Sequence, residues 1–144
     1  MNTRTAQPGD PELSVVAPLY NESQNVQPLV AWILEALTGY PSRFEIILVD
    51  DGSRDDTWAQ IAAAAAAEPR VRGLRLGRNV GQTAAMMAGF DHARGRSVVS
   101  LDGDLQNDPR DIPALLAKLD EGYDLVCGWR QQRQDTFLLR KVPS

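Results

Sequence analysis

The chain has 144 residues, of which 43% are hydrophobic and 24% are charged, and its formal net charge at pH 7 is -4. This composition is ordinary for a soluble globular protein, and the length leaves room for one domain with one core. Binding to a phosphate backbone needs clustered lysines and arginines, whereas the basic residues here are scattered until the last fifteen positions. No nucleic-acid partner is therefore expected.

The cysteine count and the apolar runs bear on the compartment. Cys127 is the one cysteine, which excludes an internal disulfide and a thiolate metal cluster and fits a reducing cytosol. The longest uninterrupted apolar run, Ile61 to Ala67, is far shorter than the roughly 20 residues of a membrane-spanning helix. We expect no transmembrane segment in this chain.

Residues 1–12 have no apolar stretch and predict a flexible leader rather than a signal peptide.

From Leu13 onward, short runs rich in β-branched residues alternate with amphipathic stretches, and turn residues mark each junction. The expected strands are 13–17, 44–49, 71–76, 98–101 and 125–127. The expected helices are 23–37, 57–67, 81–93 and 109–122. This regular alternation predicts right-handed crossovers and a mostly parallel, Rossmann-like sheet with helices on both faces, which is an α/β fold.

Side-chain oxygens just before three of these helices predict N-caps. Ser23 is placed to cap the first helix, Asp55 or Asp56 the second, and Asp108 the fourth, where Pro109 follows at the first helical position. Capping therefore accounts for these three aspartates without any functional role.

Polar clusters follow each of the first four expected strands. The clusters are 18–22, 50–53, 77–79 and 102–104. Because ligands of open α/β sheets lie outside the carboxyl ends of the strands, we expect these clusters to converge on one site. Four polar strand ends are more than helix capping requires, so this edge is the predicted functional edge.

The segment Asp102-Gly103-Asp104 directly follows an apolar strand. Alternate residues in extended chain aim two carboxylates toward one point, while Gly103 lets the backbone approach closely. Mg²⁺ and Mn²⁺ bind through one or two carboxylates and complete their shell with waters and substrate phosphates. Gln106 adds a neutral oxygen, so Asp102, Asp104 and Gln106 form the predicted metal site.

Other schemes for binding metals or phosphates do not fit. A calcium loop that begins at Asp102 requires Gly where Asn107 stands and Glu where Pro113 stands. The sequence contains no GxxxxGK[ST] loop, and its first strand-to-helix turn lacks GxGxxG, which disfavours kinases and dinucleotide dehydrogenases. His92 is the single histidine, so no Ser-His-Asp or Cys-His arrangement is expected.

Four segments, VVAPLYNE, ILVDDGSRDDT, LGRNVGQTAAMMAGF and VVSLDGDLQNDP, resemble in this order and spacing the family 2 glycosyltransferases of the GT-A fold. The resemblance is greatest to the polyprenyl-phosphate branch, which includes dolichyl-phosphate mannose synthases and bacterial undecaprenyl-phosphate sugar transferases. It covers residues 13–144 and implies a nucleotide-diphosphate sugar as donor, with a uridine donor favoured over GDP-mannose. It also implies a polyprenyl-phosphate lipid as acceptor, at the cytoplasmic face of a membrane.

The resemblance also assigns residues to the donor. By position, the residues that match contacts to the nucleotide base and ribose are Pro18, Tyr20, Glu22, Asp50 and Asp51. The residues that match the segment beside the donor are Arg78, Asn79 and Gln82. In relatives the metal-binding triplet lies where Asp102, Asp104 and Gln106 stand here, so Mg²⁺ or Mn²⁺ is the implied cofactor.

A basic stretch, residues 128–133, resembles the part of the family that lies near the donor diphosphate and the acceptor phosphate. A phosphate monoester is largely ionised near neutral pH and needs no strong general base to attack the sugar. Arg130 and Arg133 are expected to hold this phosphate, and Asp102 and Asp104 to act with the metal on the departing diphosphate. In-line attack would invert the anomeric centre.

Members of this branch continue well past residue 144, so residues 13–144 are expected to be the N-terminal, nucleotide-sugar-binding part of a GT-A domain. Two alternatives to a complete transferase remain open. One is an inactive or partial fragment that binds the donor without turnover. The other, ranked third, is a nucleotidyltransferase, which usually has a Gly-rich loop with a basic residue where Tyr20-Asn21-Glu22 stand here.

Overall fold

The computed structural model describes residues 5, 7–105, 108–122, 125–130 and 133–141, the last two segments as strands with their pairing. The strands within these residues are β1 Leu13–Leu19, β2 Phe44–Asp50, β3 Val71–Arg75, β4 Ser97–Ser100, β5 Leu125–Arg130 and β6 Arg133–Lys141. The helices are α1 Ser23–Ala36, α2 Thr57–Ala67, α3 Gln82–His92 and α4 Ile112–Asp120, and a 3-10 helix at Pro109–Asp111 leads into α4.

The strands form one sheet in the order β3-β2-β1-β4-β6-β5. Strands β3, β2, β1 and β4 are parallel, while β6 runs antiparallel to both β4 and β5. Every residue of β1 and β2 is buried, as expected for central strands that are covered on both faces. The predicted α/β architecture with a mostly parallel sheet is confirmed.

The helices cover the sheet unevenly. Helices α1, α2 and α4 pack on one face, where twenty buried side chains, alternate residues of β1 and β2 among them, form the main core. Among the described residues, α3 alone covers the other face, over a smaller cluster of five: Val16, Ile47, Val49, Ala85 and Val98. A Cβ at Gly89 of α3 would overlap Val16, so this helix lies directly against the sheet.

The predicted boundaries need several corrections. β1 and β2 continue to Leu19 and Asp50, β3 ends at Arg75, β4 is Ser97–Ser100, and α3 is one residue shorter at each end. β5 runs on to Arg130, and β6 was not predicted at all. The carboxyl ends of β1 and β4 remain at the predicted edge, so these shifts do not move the polar clusters.

Ser23 was wrongly predicted as the N-cap of α1, because it is the first helical residue and Glu22 occupies the cap position. The N–H groups of Glu22 and Ser23, at the start of α1, find partners at the start of α2 instead. Glu22 N donates to Thr57 Oγ1 at 2.9 Å, and Ser23 N donates to the Asp55 carboxylate at 3.4 Å. Asp108 does cap its helix, since its carboxylate accepts Arg110 N at 2.9 Å.

Part of the predicted leader contacts the sheet. Glu12 N donates to Arg43 O at 2.8 Å, and Ser97 N donates to Glu12 O at 3.0 Å. Arg43 also donates to Gly9 O at 3.1 Å, which places the turn at Pro8–Gly9 beside the start of β2. Across the described ranges, no helix combines the length and the hydropathy that crossing a membrane requires.

Candidate functional site

A cavity of about 410 Å³ lies at the carboxyl ends of β1 and β4. Strand order reverses here, because β1 has β2 on one side and β4 on the other. This is the point at which open α/β sheets bind their ligands. The cavity is lined by Pro18, Leu19, Tyr20, Glu22, Asp51, Asn79, Gly81, Gln82, Asp102, Gly103 and Asp104.

A larger cavity of about 900 Å³ opens at the amino ends of the parallel strands, around the start of β2. Two of its arginines are engaged with the protein itself, since Arg70 pairs with Glu68 and Arg72 pairs with Glu45, each at 2.8 Å. The smaller cavity is therefore the better candidate site, because it holds the polar strand ends and lies at the topological switch point.

The segment after β1 turns sharply at Asn21, whose φ of 52° lies in the left-handed region. Two hydrogen bonds hold this turn to the loop after β2: Asn21 N donates to Ser53 Oγ and Arg54 N donates to Asn21 Oδ1, both at 2.9 Å. Tyr20 is consequently presented at the cavity with 42% of its surface exposed. Asparagine is among the few residues that adopt this conformation readily.

Asp51 lines the cavity but is only 2% exposed. One of its carboxylate oxygens accepts Val80 N at 2.8 Å, and the other accepts Gly81 N at 3.0 Å and Asn79 Nδ2 at 3.1 Å. We call these contacts the Asp51 clasp. It joins the end of β2 to the start of α3 and thereby fixes one wall of the cavity.

Asp50 lies outside the cavity, contrary to the expectation that it contacts the donor beside Asp51. Adjacent residues of an extended chain face opposite ways, and Asp51 faces the 79–81 segment. Asp50 is fully buried; its Oδ1 accepts Ser53 N at 3.0 Å, and its Oδ2 has no hydrogen-bond partner among the described residues. Arg75 Nε lies 4.0 Å from that oxygen. Asp50 therefore stabilises the loop after β2 through Ser53, without facing the cavity.

The DxD segment forms the opposite wall. Gly103 is buried, and a Cβ at this position would overlap Leu19 Cδ2, so only glycine allows the segment to lie so close to the end of β1. Asp102 and Asp104 line the same cavity, and Gln82 Nε2 donates to Asp102 Oδ1 at 2.5 Å. Gln106 lies outside the described residues.

This donor set suits Mg²⁺ or Mn²⁺. Two carboxylates face one cavity, which leaves room for waters and substrate phosphates to complete an octahedral shell. No group of three or more His, Cys, Asp or Glu side chains gathers anywhere in the described part of the chain, so a closed cage of protein ligands is not formed there.

Arg78, Arg130 and Arg133 are the remaining predicted residues. Arg78 is exposed and does not line the cavity. Arg130 and Arg133 pair with each other where β5 meets β6. Since Leu138 pairs with Ser100 of β4, the backbone of Arg133 extends five residues further, roughly 16 Å beyond the end of β4 on the cavity side.

Three residues of the cavity were not among the predicted site residues, Leu19, Gly81 and Gly103, although Gly103 was expected to let the backbone approach closely. Leu19 was assigned to a polar cluster that follows β1, whereas it is the last residue of that strand. Gly81 has φ 101° and stands at the N-cap of α3. A glycine immediately before a helix was the signal available for it.

Sheet order, helix layers and the acidic crevice at the switch point define a GT-A-type α/β domain. A mannosyltransferase from Pyrobaculum calidifontis, solved with GDP-Man and Mn²⁺, superposes with a TM-score of 0.73 over 97% of this chain and 47% of its own, at 21% identity. S. aureus TarS 1-349 in complex with UDP-GlcNAc superposes with a TM-score of 0.62 over 79% of this chain and 33% of its own, at 25% identity.

The chain belongs to glycosyl transferase family 2, whose sequence profile matches residues 14–144. Dodecaprenyl-phosphate galacturonate synthase of Rhizobium johnstonii is 50% identical over 92% of this chain. Undecaprenyl-phosphate 4-deoxy-4-formamido-L-arabinose transferases of Shewanella sediminis and Klebsiella pneumoniae are 48% and 46% identical over the same share. The chain spans about two fifths of the length of these relatives, namely 40%, 40% and 41%.

Proposed function

We propose that the cavity binds a nucleotide-diphosphate sugar and that the sugar is transferred to a polyprenyl phosphate with inversion. The observation that carries this proposal is the position of Asp102 and Asp104, which share one cavity with Asp51 and Tyr20 at the switch point of the sheet. Three relatives at 46% to 50% identity bear the names of polyprenyl-phosphate sugar transferases, which supports the acceptor class. A UDP-sugar is the favoured donor, with GDP-mannose as the second candidate.

In this proposal the nucleotide lies against the wall formed by Pro18, Tyr20, Glu22 and Asp51. Tyr20 is exposed enough to stack on a base, and the carboxylates of Glu22 and Asp51 are the acceptors for base and ribose donors. Asp50 and Arg78 act indirectly, since neither lines the cavity. Asp50 holds Ser53, which in turn holds the turn at Asn21.

The diphosphate lies against Asp102 and Asp104, where Mg²⁺ or Mn²⁺ fits. When bound, the cation would supply the positive charge that stabilises the diphosphate as it leaves. Asp102 and Asp104 hold that charge in place, and Gln106 is proposed as a third oxygen ligand. The structures of relatives with GDP-Man and Mn²⁺ or with UDP-GlcNAc support a donor of this class.

The acceptor phosphate is proposed to bind Arg130 and Arg133, whose backbones extend beyond the cavity edge of the sheet. Arginine suits phosphate because its planar fork donates two parallel hydrogen bonds. Attack by an already ionised phosphate on the face opposite the departing diphosphate inverts the anomeric carbon. Because the acceptor is a lipid, the proposal also places the chain at the cytoplasmic surface of a membrane.

Calorimetry with UDP and GDP, each with and without Mn²⁺, tests the donor site. We expect Mn²⁺ to tighten UDP binding to the wild type and to Asp56→Ala, an exposed aspartate that does not line the cavity. Asp104→Ala should lose this Mn²⁺ effect. If Mn²⁺ tightens UDP binding equally in wild type and Asp104→Ala, the metal assignment is wrong.

Turnover distinguishes the proposed reaction from its alternatives. Wild-type chain is incubated with a UDP-sugar, Mn²⁺ and polyprenyl phosphate in detergent, and the lipid-linked sugar is measured. Binding without product favours the alternative of a chain that binds the donor without turnover. Pyrophosphate release from a nucleoside triphosphate would indicate a nucleotidyltransferase instead.

A further inference from the structure

Gln82 reaches from the first turn of α3 to the DxD segment on the other side of the cavity. Its amide Nε2 lies 2.5 Å from Asp102 Oδ1 and donates a hydrogen bond to it. The two residues come from different βα units, since α3 follows β3 whereas Asp102 follows β4. This contact is therefore a specific link between the two walls rather than a consequence of chain connectivity.

The position of Gln82 is fixed by the structure around it. The residue before it, Gly81, has φ 101° and donates its N–H to Asp51 Oδ2 at 3.0 Å. Further along α3, Gly89 lies against Val16 and Val49 of the sheet. The helix is thus held at its start by the Asp51 clasp and in its last turns by close packing, so the Gln82 backbone has little freedom to move.

We propose that Gln82 is a positioning residue that fixes the orientation of the Asp102 carboxylate for the divalent cation; this inference rests on the proposed function. A carboxylate rotates easily about its Cβ–Cγ bond, and a donor anchored on a rigid helix stops that rotation. An amide is suited to the task because it is a strong donor without a charge, so it does not repel the cation as lysine or arginine would.

Groups that orient a metal ligand typically change metal affinity by about 10- to 100-fold when removed. Gln82→Ala should therefore weaken Mn²⁺ binding by about tenfold, while UDP affinity in the absence of Mn²⁺ stays unchanged. Thr83→Ala is the matched control, because Thr83 is the next residue of α3, is exposed and does not line the cavity. This control should bind Mn²⁺ like the wild type.

The measurement is the electron paramagnetic resonance signal of free Mn²⁺, titrated with full-length chain alone and with UDP present. Thermal unfolding of the three proteins checks that the variants are folded. Equal Mn²⁺ affinity in wild type and Gln82→Ala overturns the inference, and so does a parallel loss of metal-free UDP binding, which would make Gln82 a direct donor contact. A wild type that binds no Mn²⁺ contradicts the metal site of the proposed function itself, and the inference with it.

Discussion

The carboxylate of Asp51 accepts the backbone N–H of Gly81 at 3.0 Å, across thirty residues of sequence. Through this bond the end of β2 determines where α3 begins, and α3 carries Gln82 toward the DxD segment. The two walls of the cavity are thus connected by a partly buried hydrogen bond at Asp51 and an exposed one at Gln82.

Replacing the acceptor tests the Asp51 clasp. In Asp51→Asn, one oxygen becomes an NH₂ group that faces the N–H donors of the 79–81 segment, so buried donors lose their partner. We expect the free energy of unfolding to fall by about 1–3 kcal/mol, measured by urea denaturation. Asp56→Asn is the control, because Asp56 is exposed and makes no cap hydrogen bond; its change should stay within about 0.5 kcal/mol.

Gly81 provides a separate test through backbone conformation alone. A Cβ at this position would meet nothing within 4 Å, so Gly81→Ala introduces only the strain of an alanine at φ 101°. We expect a loss of about 1–2 kcal/mol in unfolding free energy. Gly77→Ala also enters open space but lies outside the left-handed region, and it should leave stability unchanged or slightly raised. Equal effects of the two substitutions would contradict the conformational explanation.

The hydrogen-bonded carboxyl group of Asp55 should make the stability of the protein depend on pH. Burial by itself raises the pKa of Asp55, but hydrogen bonds from Thr57 and Ser23 outweigh it and hold the pKa below its usual value. A pKa lowered in the folded state stabilises the protein above the unfolded pKa of about 3.9, and this contribution is lost as the pH falls through the folded value.

The difference in unfolding free energy between wild type and Asp55→Asn should therefore be constant from about pH 7 to about pH 5 and shrink below about pH 4. Urea denaturation across that range measures it. A difference that stays the same down to about pH 3 would show that the charge of Asp55 contributes nothing.

A substitution of Glu45 tests the polar network at the amino ends of the parallel strands. Its side chain is buried and accepts hydrogen bonds from Ser14 Oγ, Arg94 N and Arg72, all at 2.8 Å. Glu45→Ala leaves these donors without their acceptor and should cost about 3 kcal/mol of unfolding free energy. Glu12→Ala removes an exposed pair with Arg96 at 3.8 Å, and its cost should stay below about 1 kcal/mol. Similar costs for both would contradict this difference in burial.

The parallel part of the fold could be predicted from the sequence because its signals are local. β1 and β2 are predominantly apolar runs, and the polar residues at their carboxyl ends mark that edge without reference to the rest of the chain. The cavity walls at Tyr20, Asp51 and Asp102 follow from that edge, and the structure brings these three residues to one cavity.

Features that depend on distant partners could not be predicted. β6 was missed because its pairing with β4 joins Ser97 to Lys141, and its own sequence mixes charged and apolar residues without a clear alternation. Asp50 and Asp51 look equivalent in sequence, yet only Asp51 meets the 79–81 segment. Likewise, Thr57 and Asp55 accept the hydrogen bonds of the N–H groups at the start of α1, although the N-cap preference had pointed to Ser23.

The uneven covering of the sheet has a consequence for local unfolding of the protein. Releasing α3 uncovers the four strand side chains of the smaller cluster, Val16, Ile47, Val49 and Val98, whereas releasing α1 opens a core of twenty. Local unfolding at α3 therefore exposes less of the core than local unfolding at α1. Because α3 also carries Gln82, a ligand that fills the crevice and contacts α3 would stabilise the less thickly covered face of the sheet.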